Sequence, residues 1–479
     1  MAPAPRPIPP LVFHSATFVV FLIVAFAAFW ALAGKRDART ALLLVASYVF
    51  YGAWEFWYLW LIVFSTLLDF TCGNRIHAAK SQGAKRAWLS VSLVGNLGVL
   101  GFFKYYDWGI EGLATLLSSL GLANNLHSLG ILVPVGISFY TFQTLSYTLD
   151  IYRGQLKPAR NLLDFGMFVA FFPQLVAGPI VRAAEFIPQM DLEPRLDRAR
   201  FTDAIWRMGT GLVKKVVLAD GLGAFLVDPV YEAPGSFGAW MHALALLGFT
   251  FQIYYDFSGY SDIAIGVGKL FGFDLPENFD GPFKSRSVSE FWRRWHMTLS
   301  FWVRDYVFFP LMGRTGIRSR VRIAFSVMTT MVVIGLWHGA SLLWLLYGAV
   351  QGVVMAIEQV VTVARRRRRK ASGGLALLQW ALTFLFTVLV SSLCVRPRSF
   401  EQAWAMLSEF GSGGAVSIWG PVTLAVGVAI HFLPKATVEA TRRGLTNLPL
   451  PLAGVLLGLV AGWVAYLVIG ATPFIYFQF

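Results

Sequence analysis

Apolar runs long enough to cross a lipid bilayer recur from one end of this chain to the other. One of them, residues 324–357, extends for 34 residues without an Asp, Glu, Lys or Arg. A helix crosses the bilayer core with about 20 apolar residues, so this run has room for two crossings. Because lipid offers peptide groups no hydrogen-bond partner, such runs fold as helices. The pattern predicts an all-α, polytopic membrane protein.

Composition supports this fold class. The 479 residues are 56% hydrophobic and only 14% charged, whereas a soluble domain has about 25% charged residues. A transmembrane β-barrel would show short segments of alternating polarity, and these apolar runs are continuous.

The formal net charge of +14 arises from Lys and Arg between the apolar runs, with clusters at 313–322 and 364–370. This placement is typical of cytoplasmic loops and does not suggest a nucleic-acid partner. Residues 35–39 follow the first apolar run, 16–33, so we expect a retained first span with its N-terminus outside.

We predict about 11–14 membrane helices or re-entrant segments in a single domain, 1–479, with no internal repeat. The two cysteines, Cys72 and Cys394, lie far apart in the sequence. No cluster of His, Cys or Asp has the spacing of metal ligands, so we expect no metal site. The predicted segments are 16–33, 40–61, 62–76, 88–103, 108–122, 130–150, 162–178, 204–228, 238–270, 322–339, 341–362, 375–395, 416–432 and 450–471.

A histidine lies inside the uncharged run, in GLWHGASLLWLLYGAVQG, residues 335–352. Basic clusters on both sides place His338 far from the cytoplasm, and Gly335 and Gly339 allow helices to approach closely. An imidazole in an apolar region needs hydrogen-bond partners. His338 is therefore either a structural hydrogen-bonding residue or a functional one.

A second unusual stretch, residues 276–310, mixes aromatic and charged side chains and contains WRRWH, with Trp295 and His296. We expect it to lie at the membrane interface or to re-enter the membrane. A simpler alternative is an interfacial helix anchored by Trp and Arg.

Two apolar segments carry polar clusters. Residues 251–266 contain Asp256, Tyr260 and Asp262, and residues 133–154 contain Tyr140 and Gln143. Carboxylates inside a membrane usually face a cavity or a partner. The two aspartates therefore line a passage, or they form ion pairs with arginines near 286–294. Tyr140 and Gln143 either line a polar tunnel or brace one.

The chain lacks a Gly-x-Ser-x-Gly elbow and a P-loop, which excludes the usual serine hydrolase and nucleotide-hydrolysing sites. Two histidines among tryptophans remain. A neutral imidazole can accept the proton of a hydroxyl that attacks a thioester, and a second polar group can orient the donor or stabilise the oxyanion. The residues alone leave a catalytic and a structural histidine both open.

Several long stretches, in order, resemble the membrane-bound O-acyltransferase family, and most of all its bacterial alginate O-acetyltransferase-like branch. The resemblance covers most of the chain, with core motifs at about 130–360. The stretches lie at 47–66, 96–108, 134–154, 171–189, 254–266, 276–311 and 335–352.

The resemblance implies that His338 is the catalytic histidine and His296 the second signature residue. It implies a ring of helices around a tunnel, which Trp295 and Trp337 would shape. Asp256, Tyr260, Tyr140 and Gln143 are secondary candidates for the tunnel wall.

The resemblance also implies the reactants and the location. The donor would be acetyl-CoA or a carrier acyl-thioester from the cytoplasm, bound as a substrate, with no resident cofactor. The acetyl group would pass to an exopolysaccharide or cell-wall glycan, directly or through an extracytoplasmic acetyltransferase partner protein. The chain would lie in the bacterial plasma (inner) membrane.

Two alternatives remain. A transporter would move an acyl group or a lipid-linked glycan without making a bond. An inactive scaffold would recruit an acylating partner, although such a protein has no need to retain both WHG and RWH.

Overall fold

The computed structural model describes residues 11–13, 15–123, 125–313, 319–364 and 372–446. Within these ranges the chain is almost entirely helical, and the only β contact is an isolated bridge between Phe237 and Gly414. The predicted all-α fold class is confirmed. The predicted segment 450–471 lies outside the described residues.

The described residues divide into two compact units. The first contains the chain up to residue 205 together with 263–276, and the second contains 206–262 and the chain from 277 onward. The single domain remains a prediction. The first eight helices are α1 (Ala16–Ala31), α2 (Arg36–Glu55), α3 (Leu59–Ala78), α4 (Gln82–Ser119), α5 (Ile137–Tyr152), α6 (Leu162–Ala170), α7 (Phe172–Leu175) and α8 (Ala183–Phe186).

The remaining helices extend to residue 446, with π-helical segments at Val213–Ala219, Gly223–Val227 and Arg304–Phe308. They are α9 (Arg198–Leu212), α10 (Asp220–Leu222), α11 (Asp228–Glu232), α12 (Ala239–Leu270), α13 (Val288–Trp292), α14 (Met297–Val303), α15 (Phe309–Met312), α16 (Arg320–His338), α17 (Leu342–Ala364), α18 (Gly373–Cys394), α19 (Phe400–Ser408), α20 (Trp419–Phe432) and α21 (Lys435–Thr446).

Five helical stretches of the described residues are long and apolar enough to span a membrane, or six if α20 and α21, bent by 98°, form one broken span. The protein is thus a multi-pass membrane protein. The number of long spans falls below the predicted 11–14 segments, and the tunnel remains a prediction. The five stretches are Arg36–Ala78, Gln82–Ser119, Arg320–His338, Leu342–Val361 and Gly373–Cys394.

The separation of segments 88–103 and 108–122 was wrong, because both belong to the continuous helix α4. In the structure, the Asp107 carboxylate accepts the backbone N–H groups of Leu129 at 2.7 Å and Ile131 at 2.6 Å. This side chain fixes the following loop from within the helix and does not interrupt it.

Basic residues after α1 have a structural role in the first unit. The Arg36 guanidinium lies 2.8 Å from the carboxylate of Asp164, whose side chain is 1% exposed. Arg39 is buried and donates to the carbonyls of Met190 and Leu192. Charge between apolar runs therefore holds loops together in the structure. The side of the membrane on which these loops lie remains a prediction.

Candidate active site

His338 lies at the turn of a tight helical hairpin in the second unit. Helix α16 is capped at its start by Ser319, whose hydroxyl accepts the N–H of Arg322, and it ends at His338. A Cβ added at Gly335 would overlap the carbonyl of Trp344, and one at Gly339 would overlap the Trp344 ring. The close approach predicted for these glycines is confirmed, because only residues without a Cβ leave room for α17.

The hairpin encloses the His338 ring in aromatic side chains. Trp344 stacks on it at 5.0 Å between centroids with 21° between planes, and Trp337 meets it edge-on at 4.9 Å. His338 is 8% exposed and lines a narrow cavity of about 30 Å³. Such a space holds about one or two water molecules.

The cavity has mostly apolar walls with a few polar groups. This composition is typical of a small-molecule site. The residues that line it besides His338 include Thr250, Ile253, Phe283, Phe291, Trp295, Trp344, Tyr347, Gln351, Thr387 and Ser391.

His296 is fully buried and occupies an unusual backbone conformation. Its φ of 42° and ψ of 55° are left-handed, and no other residue except glycine has a positive φ in the described ranges. This conformation costs an L-residue roughly 1–2 kcal/mol. Strain of this kind persists only where the surroundings impose it, and it is concentrated at functional sites.

The short elements before His296 are held by helix α17. The Ser287 hydroxyl accepts the N–H of Glu290 and so caps α13. The Glu358 carboxylate accepts the N–H groups of Val288 at 2.8 Å and Ser289 at 2.9 Å. Because α17 also carries Trp344, one helix supports both the WRRWH segment and the wall beside His338.

The rings of the two histidines lie close together. Their ring centroids lie 6.4 Å apart, and Trp337 is 6.0 Å from His296 and 4.9 Å from His338. A direct N–H···N bond needs about 3 Å between nitrogens, which would bring the centroids to roughly 5 Å, so the rings are too far apart to bond each other.

Four of the predicted site residues therefore lie together in the second unit: His338, His296, Trp295 and Trp337. Trp295 lines the cavity, and Trp337 contacts both imidazoles. Their roles in catalysis or in a tunnel remain predictions.

The polar residues of α12 have a different environment. Asp256 is buried, and its carboxylate lies 2.7 Å from Nζ of the buried Lys215. Asp262 pairs with Arg207 and Lys214. The ion-pair alternative named the wrong partners, because the cations come from α9 and the π-helical segment after it and not from residues 286–294. Tyr260 is buried on the same helix, and a tunnel-wall role for it and Asp256 stays a prediction.

Tyr140 and Gln143 belong to the first unit, on helix α5, and both are fully buried. Among the described residues, no hydrogen-bond partner is present for the Tyr140 hydroxyl or the Gln143 amide. Buried polar groups of this kind normally need a partner. Their place in a tunnel remains a prediction.

One contact of the site was missed from the sequence. Nδ1 of His296 lies 3.1 Å from Oδ1 of Asn278, 18 residues earlier in the chain. Asn278 occurs in PENFDGP, where an asparagine reads as an ordinary loop residue, so no local signal distinguishes it. Among the described residues, no group of three or more His, Cys, Asp or Glu is arranged to hold a metal ion.

Comparison with known proteins places these features in a family. The family model for the membrane-bound O-acyltransferases matches residues 156–395. The probable alginate O-acetylase AlgI of Pseudomonas aeruginosa is 40% identical over 84% of this chain and 75% of its own length. The peptidoglycan O-acetyltransferase of Helicobacter pylori is 31% identical over 85% of this chain and 81% of its own.

A more distant relative is the teichoic acid D-alanyltransferase of Streptococcus thermophilus, 34% identical over 47% of this chain and 56% of its own length. The match to the family model includes His296, His338 and the elements that hold them. This chain belongs to the membrane-bound O-acyltransferase family, in its alginate O-acetyltransferase-like branch, and is an O-acyltransferase.

Proposed function

We propose that this enzyme transfers an acetyl group from a thioester donor to hydroxyls of a cell-envelope glycan, such as an exopolysaccharide or a cell-wall polymer. Two relatives that align over most of the chain are named for O-acetylation, one of alginate and one of peptidoglycan. The more distant D-alanyltransferase carries a different acyl group, so the relatives agree on an envelope glycan more than on the group transferred.

The observation that carries the proposal is a pair of imidazoles with 6.4 Å between ring centroids, of which His338 lines a narrow aromatic cavity. The acceptor hydroxyl gives its proton to His338 while its oxygen attacks the thioester carbonyl. The C–S bond then breaks, the ester forms, and the thiolate leaves and takes up a proton. His296 orients a reactant or stabilises charge, and Trp337 and Trp344 exclude water from the thioester.

The donor, on this proposal, is acetyl-CoA or a carrier acyl-thioester that arrives from the cytoplasm. Such thioesters are cytoplasmic metabolites and the glycan is assembled outside, which suits a location in the bacterial plasma (inner) membrane. An extracytoplasmic partner protein can receive the acetyl group first and pass it to the polymer. The transporter alternative gains no support from the relatives, which are named as acyl-transferring enzymes.

The proposal is tested by the O-acetyl content of envelope glycans, measured by NMR in cells that carry wild type, His338→Ala or His296→Ala at matched membrane levels. We expect His338→Ala to abolish acetylation and His296→Ala to reduce it strongly. The control is His77→Ala, at an exposed residue of α3, which should behave as wild type. Full acetylation by His338→Ala would overturn the assignment.

The donor and the acceptor are then identified in proteoliposomes, with the two kept on opposite sides of the membrane. Acetyl-CoA and an acetylated carrier protein, each labelled in the acetyl group, are supplied on one side, and label in glycan or in partner protein is measured on the other. Transfer from either thioester supports the proposal, and its absence with both donors contradicts it.

A further inference from the structure

Three donors converge on one atom of Asn278. Its Oδ1 lies 3.3 Å from the backbone N of Thr298, 2.9 Å from the Thr298 hydroxyl and 3.1 Å from Nδ1 of His296. A peptide N–H can only donate, so the atom that it meets must be the carbonyl oxygen of the amide. The Asn278 Nδ2 then lies 3.3 Å from the Ser261 hydroxyl, which it can use as acceptor.

This orientation decides which nitrogen of His296 carries the proton. A carbonyl oxygen accepts and cannot donate, so Nδ1 of His296 must be the N–H. Burial lowers the pKa of His296, which lies outside the five candidate spans, to about 3. The ring is therefore neutral, and its Nε2 carries a lone pair.

The same residue also holds the strained backbone of His296. The Asn278 carbonyl accepts the N–H of Met297 at 2.9 Å, and the N–H of Asp280 donates to the carbonyl of Arg294 at 3.0 Å. These bonds join residues 278–280 to the chain on both sides of His296. Asn278 thus fixes the ring through its side chain and the left-handed backbone through its main chain.

We propose that Asn278 is a positioning residue that makes His296 a hydrogen-bond acceptor at Nε2. The inference rests on the role for His296 in acyl transfer proposed above. This nitrogen can accept a hydrogen bond from a water or from a glycan hydroxyl other than the one that gives its proton to His338, but it has no proton to donate to a thioester oxyanion. Of the two roles open to His296, the structure thus assigns the orientation of a reactant that donates a hydrogen bond and not the stabilisation of the thioester oxyanion.

The tautomer is tested directly by solid-state ¹⁵N NMR of the full-length protein, labelled at histidine and reconstituted in lipid. The His296 signals are identified by difference from the variant His296→Gln. We expect a protonated Nδ1 and an unprotonated Nε2. The opposite tautomer would overturn the inference. Because this readout needs no turnover, it stands even if the proposed acetyl transfer fails its own test.

Two variants test the consequence for catalysis. Asn278→Leu keeps the approximate side-chain volume but removes the acceptor oxygen. We expect His296 then to be protonated at either nitrogen, and acyl transfer to fall about 10- to 100-fold. Asn278→Asp keeps an acceptor oxygen and adds a negative charge beside the ring. An adjacent opposite charge raises the pKa of a histidine by about 1–3 units.

If His296 must be neutral, Asn278→Asp therefore retains measurable transfer and moves the acid limb of the rate profile to higher pH. The matched control is Asn74→Leu, at an exposed asparagine of α3. Full transfer by Asn278→Leu, or a pH profile unchanged by Asn278→Asp in a protein of normal thermal stability, would overturn the inference.

Discussion

Trp344 lies flat against His338, with 5.0 Å between ring centroids and 21° between ring planes. The two residues are held together by the hairpin turn, where Gly339 leaves no space for a side chain between them. This stacking fixes the plane of the imidazole and covers one of its faces. The orientation of the proposed general base, His338, is therefore set by Trp344, which lies in the first turn of α17.

We expect Trp344→Leu to lower acyl transfer by about 10- to 100-fold, because a misplaced catalytic group loses a factor of this order. Trp344→Phe keeps an aromatic face and should lose less. Transfer is measured at equal protein level, with Trp240→Leu, at a tryptophan that is 73% exposed, as the control. Equal activity of Trp344→Leu and wild type would show that the stacking does not orient the base.

Gly339→Ala should also impair transfer, although the new residue fits the extended backbone at this position. The added methyl group would occupy the space of the Trp344 ring, so the ring must move away from His338. We expect a loss as large as that of Trp344→Leu, with the protein still inserted in the membrane.

The control for this change is Gly109→Ala on α4, where an added Cβ meets nothing within 4 Å. Gly109→Ala should leave transfer unchanged. If Gly339→Ala also leaves transfer unchanged, the hairpin can accommodate the added methyl group without disturbing His338, and the expected clash with the Trp344 ring is wrong.

The sequence predicted the surroundings of His338 better than those of His296. The uncharged run, the two glycines and the flanking basic clusters are local signals, and they are enough to predict a buried turn of a helical hairpin. The contact between Asn278 and His296 has no such signal, since it depends on a loop that brings residues 18 positions apart together.

Charge was the least reliable guide. Segments 88–103 and 108–122 were predicted as separate, yet Asp107 between them lies within α4 and accepts two backbone N–H groups. Asp256 was expected either to line a passage or to pair with an arginine near 286–294, but it pairs with Lys215 from a π-helical segment. Periodicity and propensity do not predict where a helix widens into a π turn.

His296→Gly should be more stable than His296→Ala, with both variants deficient in transfer. Both remove the imidazole, but glycine adopts the left-handed backbone without cost, whereas alanine pays about 1 kcal/mol. Thermal unfolding in detergent measures the difference. The pair His77→Gly and His77→Ala, in the last turn of the ordinary helix α3, should show the reverse order, since glycine is less favourable than alanine in a right-handed helix. If the Gly and Ala variants had the same order of thermal stability at both sites, the strain proposed for the His296 backbone would be wrong.

Lys215→Met should destabilise the second unit by about 3–5 kcal/mol, because it removes the ammonium from a buried carboxylate. The Lys215 Nζ lies 2.7 Å from Asp256 and 2.8 Å from Asp220, and its side chain is fully buried. Lys214→Met is the matched control and should cost less, since the Lys214 side chain is 25% exposed and its partner Asp262 keeps Arg207 as a second cation.

The double variant Lys215→Met/Asp256→Leu distinguishes a structural role of Asp256 from a tunnel role. Replacing both charges of a pair by apolar groups of similar size is often close to neutral. We therefore expect the part of the lost stability that arises at Asp256 to return, although Asp220 still loses the Lys215 ammonium. If Asp256 only binds Lys215, transfer returns with stability. A double variant that is stable and properly inserted but inactive would show that the Asp256 carboxylate itself acts on the path of the substrate.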